Sequence, residues 1–99
     1  MIIVTRLIAK RTKYPTGNVT IVFSDVQQST YQWEHFSHIM GEAIELHNNI
    51  MRSNLKTTGG YEVKTEGDSF MVAFHSPVSA VWWTLFVQEA LLNAPWPRT

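Results

Sequence analysis

An α+β fold is predicted by three observations. Val19–Phe23 is a run of β-branched and aromatic residues, Tyr61–Phe74 reads as two short strands folded about Gly67-Asp68, and apolar residues at three- and four-residue spacing fill the intervals between and after them. The order is strand, helix, helix, strand, strand, helix.

The first strand is apolar on both faces, which places it centrally in its sheet, and Asp25 falls at its carboxyl end. The cluster Tyr14-Pro15-Thr16-Gly17-Asn18 favours turns, so the domain is expected over residues 19–99, with residues 1–18 as a leading segment or linker. After Asp25 the chain turns polar, and a short helix is expected to begin near Ser29 or Thr30, carrying Tyr31, Trp33 and Phe36. Met40, Ala43, Ile44, His47, Ile50, Met51 and Leu55 then mark a longer amphipathic helix, which Gly59-Gly60 ends.

Tyr61 to Glu66 alternates, predicting Tyr61, Val63 and Thr65 on one face and Glu62, Lys64 and Glu66 on the other. Glycine first in the two-residue loop Gly67-Asp68 suits a type II′ turn into the strand Ser69–Phe74. Ser76-Pro77 caps and opens the last helix, which runs to about Leu92 before Ala94-Pro95-Trp96-Pro97 stops it. That helix is apolar nearly all round, so it is expected either to be deeply buried or to face another subunit.

Composition excludes several function classes. Eight basic and eight acidic residues cancel, leaving no electrostatic footprint for nucleic acid or an anionic membrane. The absence of cysteine removes disulfides and thiolate metal sites and fits an intracellular, cytoplasmic setting. The opening apolar run is too short for a membrane span and is not a secretory signal. The basic residues Arg6, Lys10, Arg11 and Lys13 are compatible with a presequence or juxtamembrane tail, but a plain leading segment is the simpler expectation. His35, His38, His47 and His75 lack carboxylates at matching spacing, and His47 is expected to pack along its helix.

Topology brings two acids together. A right-handed helical crossover between parallel strands leaves room for one strand between them. If the second arm of the hairpin fills that gap, Asp25 at the end of one strand lies beside Asp68 at the start of its neighbour. This is the ferredoxin-like arrangement. Two adjacent carboxylates repel unless a proton or cation sits between them, and an oxygen-only donor set favours Mg²⁺ or Mn²⁺. The segment after Asp25 adds helix-start N–H groups and the Ser29 and Thr30 hydroxyls, suited to a phosphate. The plainer alternative is that both aspartates serve as unrelated turn residues and that Lys64, between two glutamates, sits on a solvated sheet face.

The segments GNVTIVFSDVQQSTYQWE, LHN, GGYEVKTEGDSFMVAF and a WW-containing helix ending in WP, in this order and spacing, resemble the class III nucleotidyl cyclase catalytic domain. The likeness is greatest to adenylate cyclases of the fungal type and covers about Gly17 to Arg98. It implies a βααββα portion of that domain, with Asp25, the Val26 carbonyl and Asp68 as ligands of two metal ions, Mg²⁺ or Mn²⁺. It further implies that Gln27, Gln28, Ser29 and Thr30 wrap the triphosphate of ATP, and that Lys64 reads the adenine. The implied reaction converts ATP to cyclic AMP and pyrophosphate, in a site formed between two cyclase domains, so that Lys64 of one chain would serve the aspartates of another.

Departures from the family pattern are also present. Ser24 replaces the usual threonine, and Gln27-Gln28 stands where many members have an acid and a glycine. The family's adenine-reading aspartate, ribose-orienting asparagine and transition-state arginine, with an edge-completing fourth strand, fall beyond Pro97 in its members and have no match here. The expectation is therefore an inactive, truncated fragment whose longer parent provides any membrane association. The alternative reading is a non-catalytic nucleotide-binding, metal-binding or dimerisation module related to cyclases. A diguanylate cyclase is a weaker fit, because Gly59-Gly60-Tyr61-Glu62 resembles that group only superficially.

Overall fold

The computed structural model describes residues 2–9 and 15–98, in the order β1 (Ile2–Ala9), β2 (Gly17–Ser24), α1 (Ser29–Thr58), β3 (Tyr61–Glu66), β4 (Ser69–Phe74) and α2 (Pro77–Leu92). The strands form one antiparallel sheet in the spatial order β1-β2-β4-β3. β4 thus fills the gap between the parallel strands β2 and β3, as the crossover rule requires.

Both helices cover one face of this sheet. Val22 from β2 and Phe70, Val72 and Phe74 from β4 meet Met51 and Leu55 of α1 and Ala80, Trp83 and Val87 of α2 in the main core. Alternate residues Val19, Ile21 and Ala73 form a smaller cluster, with Met71 packed against it. β2 is therefore apolar on both faces, as its sequence predicts, although Phe23 is 41% exposed.

Two features, the strand formed by residues 2–9 and the bulge in β3, depart from the sequence reading. Residues 2–9, expected within a leading segment, form β1, which pairs with β2 along its length from Ile2 opposite Ser24 to Ala9 opposite Gly17. Unpaired edge groups of β2 supply the reason, since a strand's outer N–H and C=O row is satisfied by any extended segment laid beside it. The sheet edge expected to stay incomplete is therefore occupied. The basic residues Lys10, Arg11 and Lys13 lie outside the described residues.

As expected, α1 is two helical stretches, a short one and a longer one, joined at a kink where Phe36 takes a non-helical φ of −135°. In β3 the alternation breaks: Glu62 pairs with Val72 and Lys64 with Met71, leaving Val63 as a bulge. Directly paired residues share a face, so Glu62 and Thr65 lie on the helix side, whereas Tyr61, Lys64 and Glu66 lie on the other. α2 is buried on one side and leaves apolar residues exposed on another. Ala80, Trp83 and Val87 are buried, while Val81, Trp82 and Leu85 are about half-exposed.

The glycines at the end of α1 differ in purpose. Gly59 takes φ 72° as the left-handed C-cap, its N–H bonded to the Leu55 carbonyl. Gly60 has no room for a side chain: a Cβ there would fall 2.5 Å from Leu55 Cδ2 and 2.6 Å from Phe74 Cε2.

Candidate active site

Asp25 and Asp68 do converge, and the residue between them is Ser69. Its hydroxyl lies 3.0 Å from Asp25 Oδ1 and 3.4 Å from Asp68 Oδ1, so one oxygen bridges both carboxylates. The other oxygen of Asp68, Oδ2, is buried and has no hydrogen-bond partner. A hydroxyl has one hydrogen to donate, so Ser69 cannot satisfy both carboxylates at once.

The elements explain this placement. Asp25 follows the last residue of β2, and Ser24 is paired with Phe70, the second residue of β4. Asp68 closes the β3–β4 turn, where Gly67 has φ 60°. Asp68 itself is not among the positive-φ residues, the combination a type II′ turn requires. The turn is also tied to the helix layer: Asn48 Nδ2 of α1 donates to the Gly67 carbonyl at 3.3 Å. Asn48 Oδ1 is in turn 2.8 Å from Nδ1 of buried His47. His47 and Asn48 thus position the tip that carries Asp68, a role not recognised in the sequence, where LHN stood out only as a matching segment.

Lys64 reaches the same region through the Val63 bulge. It lines a cavity of about 380 Å³ together with Phe23, Asp25, Glu66, Ser69 and Met71 of the same chain. Its Nζ is 2.7 Å from Glu66 Oε1. That contact raises the Lys64 pKa and lowers that of Glu66, chiefly through the hydrogen bond and then through charge attraction. Both side chains are largely exposed, 63% for Lys64 and 70% for Glu66, so the pair lies on the solvated sheet face that the plainer reading expects.

Val26 and Asp25 line a second cavity, of about 330 Å³, on the helix side, with Met40, Ile44, His47 and Trp96. Gln27 and Gln28 form the turn into α1, and Ser29 and Thr30 are its first residues. Gln28 adopts a left-handed φ of 58°, and its side chain makes no cap hydrogen bond. The first N–H groups of α1 therefore receive nothing from the N-cap side chain. Among the described residues, no group of three or more His, Cys, Asp and Glu side chains is placed to hold a metal. Any ion here depends on the two aspartates, a backbone carbonyl and external oxygens.

Comparisons with known proteins agree with this geometry. The family model for the adenylate and guanylate cyclase catalytic domain matches residues 11–93. An adenylate cyclase of Lachancea kluyveri is 60% identical over 84 residues, which is 85% of this chain and 5% of that protein. One from Neurospora crassa is 51% identical over 83 residues, 84% of this chain and 4% of the relative. A solved Trypanosoma brucei adenylate cyclase, studied in its monomeric state, superimposes with a TM-score of 0.80 at 40% identity, covering 86% of this chain and 37% of that one. The chain thus spans a small part of the relatives it matches. On the family match, together with the shared fold, this chain belongs to the adenylate and guanylate cyclase catalytic domain family.

Proposed function

We propose that the chain carries the metal-binding and base-reading portion of an adenylate cyclase catalytic domain, which converts ATP to cyclic AMP and pyrophosphate in cyclic-nucleotide signalling. The observation that carries the proposal is the Ser69 bridge between Asp25 and Asp68, with Asp68 Oδ2 buried and unpaired. An oxygen without a donor beside a second carboxylate suits a hard divalent cation, and Mg²⁺ or Mn²⁺ commonly binds through one or two carboxylates and substrate phosphates. Asp25, the Val26 carbonyl and Asp68 would hold the two ions. When bound, these would polarise the reacting oxygens and offset charge on the phosphates.

The remaining residues bind and orient. The N–H groups at the start of α1, with Ser29 and Thr30, face the triphosphate. Gln27 and Gln28 shape that turn, and Lys64, steadied by Glu66, reads the adenine. Closure of the site calls on a second cyclase domain, a homodimer or pseudo-dimer, which would exclude water and supply transition-state donors.

The test is substitution in a longer parent that includes the following part of the domain. Asp25→Asn and Asp68→Asn, which keep size and remove charge, are each expected to reduce cyclic AMP formation at least a hundredfold. Activity within threefold of the parent in either variant overturns the metal assignment. A second reading is a nucleotide- and metal-binding module without catalysis. Titration of Mn·ATP into the 99-residue chain distinguishes the two: binding without cyclic AMP supports the module for this chain alone.

A further inference from the structure

The outer edge of β2 has a specific geometric meaning. β2 passes through α1 to β3, moving across the sheet in one lateral direction, and β4 runs opposite to β2. Both helices pack on the same face. A right-handed connection from β4 through α2 must therefore move in the opposite lateral direction, pass β2, and deliver a strand beside β2 and antiparallel to it. That position and direction are the ones β1 holds. α2 already packs against β1 as well as β2 and β4, so the helix lies on the route such a connection would take. Moreover, β1 precedes the span matched by the family model, which starts at residue 11.

We infer that the outer edge of β2 is a strand-acceptor site, held here by β1, and that β1 and a strand led there from α2 are mutually exclusive occupants. The partner this edge fits is an extended segment of eight or so residues entering antiparallel to β2, the direction a strand led from α2 would take. Main-chain hydrogen bonds supply most of the recognition, and tethering gives β1 the advantage of a high effective concentration. A strand from the rest of a cyclase domain can dock only once β1 has left.

The experiment uses the full 99-residue chain and a fluorescein-labelled peptide of residues 2–9, IIVTRLIA, read by anisotropy. Because the chain has no cysteine, Ile8→Cys with Asn18→Cys places a single potential disulfide across paired positions, at a residue of β2 that is exposed. The expected results are intramolecular oxidation, peptide exchange in the reduced form, and at least tenfold weaker peptide binding in the oxidised form. A second variant, Thr5→Pro with Arg6→Pro, removes two consecutive N–H groups, one of which must face β2. It should bind the peptide at least tenfold more tightly than the parent chain. Equal binding by the oxidised and reduced forms, or failure of the two cysteines to join within one molecule, overturns the inference. A folded proline variant that binds no better than the parent does the same. If the proline variant loses its helical circular dichroism, the oxidised and reduced pair decides alone.

Discussion

At the residue scale, Gln28 stores conformational strain at the mouth of the candidate site. Its φ of 58° lies in the left-handed region, which costs a residue with a Cβ about 1–2 kcal/mol. The resemblance to cyclases marked this position as one where glycine is common, and the backbone supplies the physical reason. Gln28→Gly is therefore expected to raise stability by about 1 kcal/mol, seen as a Tm increase of about 4–8 °C. The sequence revealed the substitution but not its backbone setting, because glutamine has no preference for a left-handed turn that could have announced one. The two aspartates were legible for the opposite reason. Strand order and handedness alone bring Asp25 to Asp68, and only the bridging role of Ser69 needed coordinates.

At the scale of elements, α2 shows where pattern reading stops. Its boundaries were legible from Ser76-Pro77 and the later prolines, and the Ser76 hydroxyl does accept from the Val78 and Ser79 N–H groups. Its orientation was not legible, since a helix apolar on all sides has no stripe to point toward the core. Adjacent tryptophans consequently have unlike surroundings. Trp83 is fully buried, packs beside Phe74 and donates from Nε1 to the Met51 carbonyl at 3.1 Å, whereas Trp82 is 51% exposed and stacks on Phe86. Trp83→Ala should cost about 3–5 kcal/mol in urea unfolding, enough to unfold much of the population of a small domain. Trp82→Ala should cost less than about 1 kcal/mol.

For the whole molecule, the helix and sheet layers are joined by a polar clasp as well as by the core. Arg52 of α1 grips Glu62 of β3 with two hydrogen bonds, of 2.9 and 3.2 Å, and Thr65 donates to the same carboxylate. Arg52, first through its hydrogen bond, holds the Glu62 carboxyl below the usual glutamate range despite the opposing effect of desolvation. A lowered folded-state pKa stabilises the protein fully above the unfolded-state value, and the contribution disappears as pH falls through the folded-state value. Solvent screening limits it to below about 1 kcal/mol. Stability measured from about pH 6 down to pH 3 should therefore decline less steeply in Glu62→Gln than in the parent chain. Nothing in the alternating sequence of β3 foretold this clasp, because strict alternation puts Glu62 on the same side as Lys64.

The bulge at Val63 acts as a change of phase within a six-residue strand. Ahead of it, Glu62 serves the joint between layers; after it, Lys64 and Glu66 serve the exposed sheet surface beside Asp25. One inserted residue lets three like-spaced charged side chains be divided between the joint with the helices and the outer sheet face, so that they do not compete for the same side. Straightening the strand with Val63 kept in the ladder would reunite their parity, turning the lysine toward the arginine that now holds Glu62 and emptying the cavity of its cation.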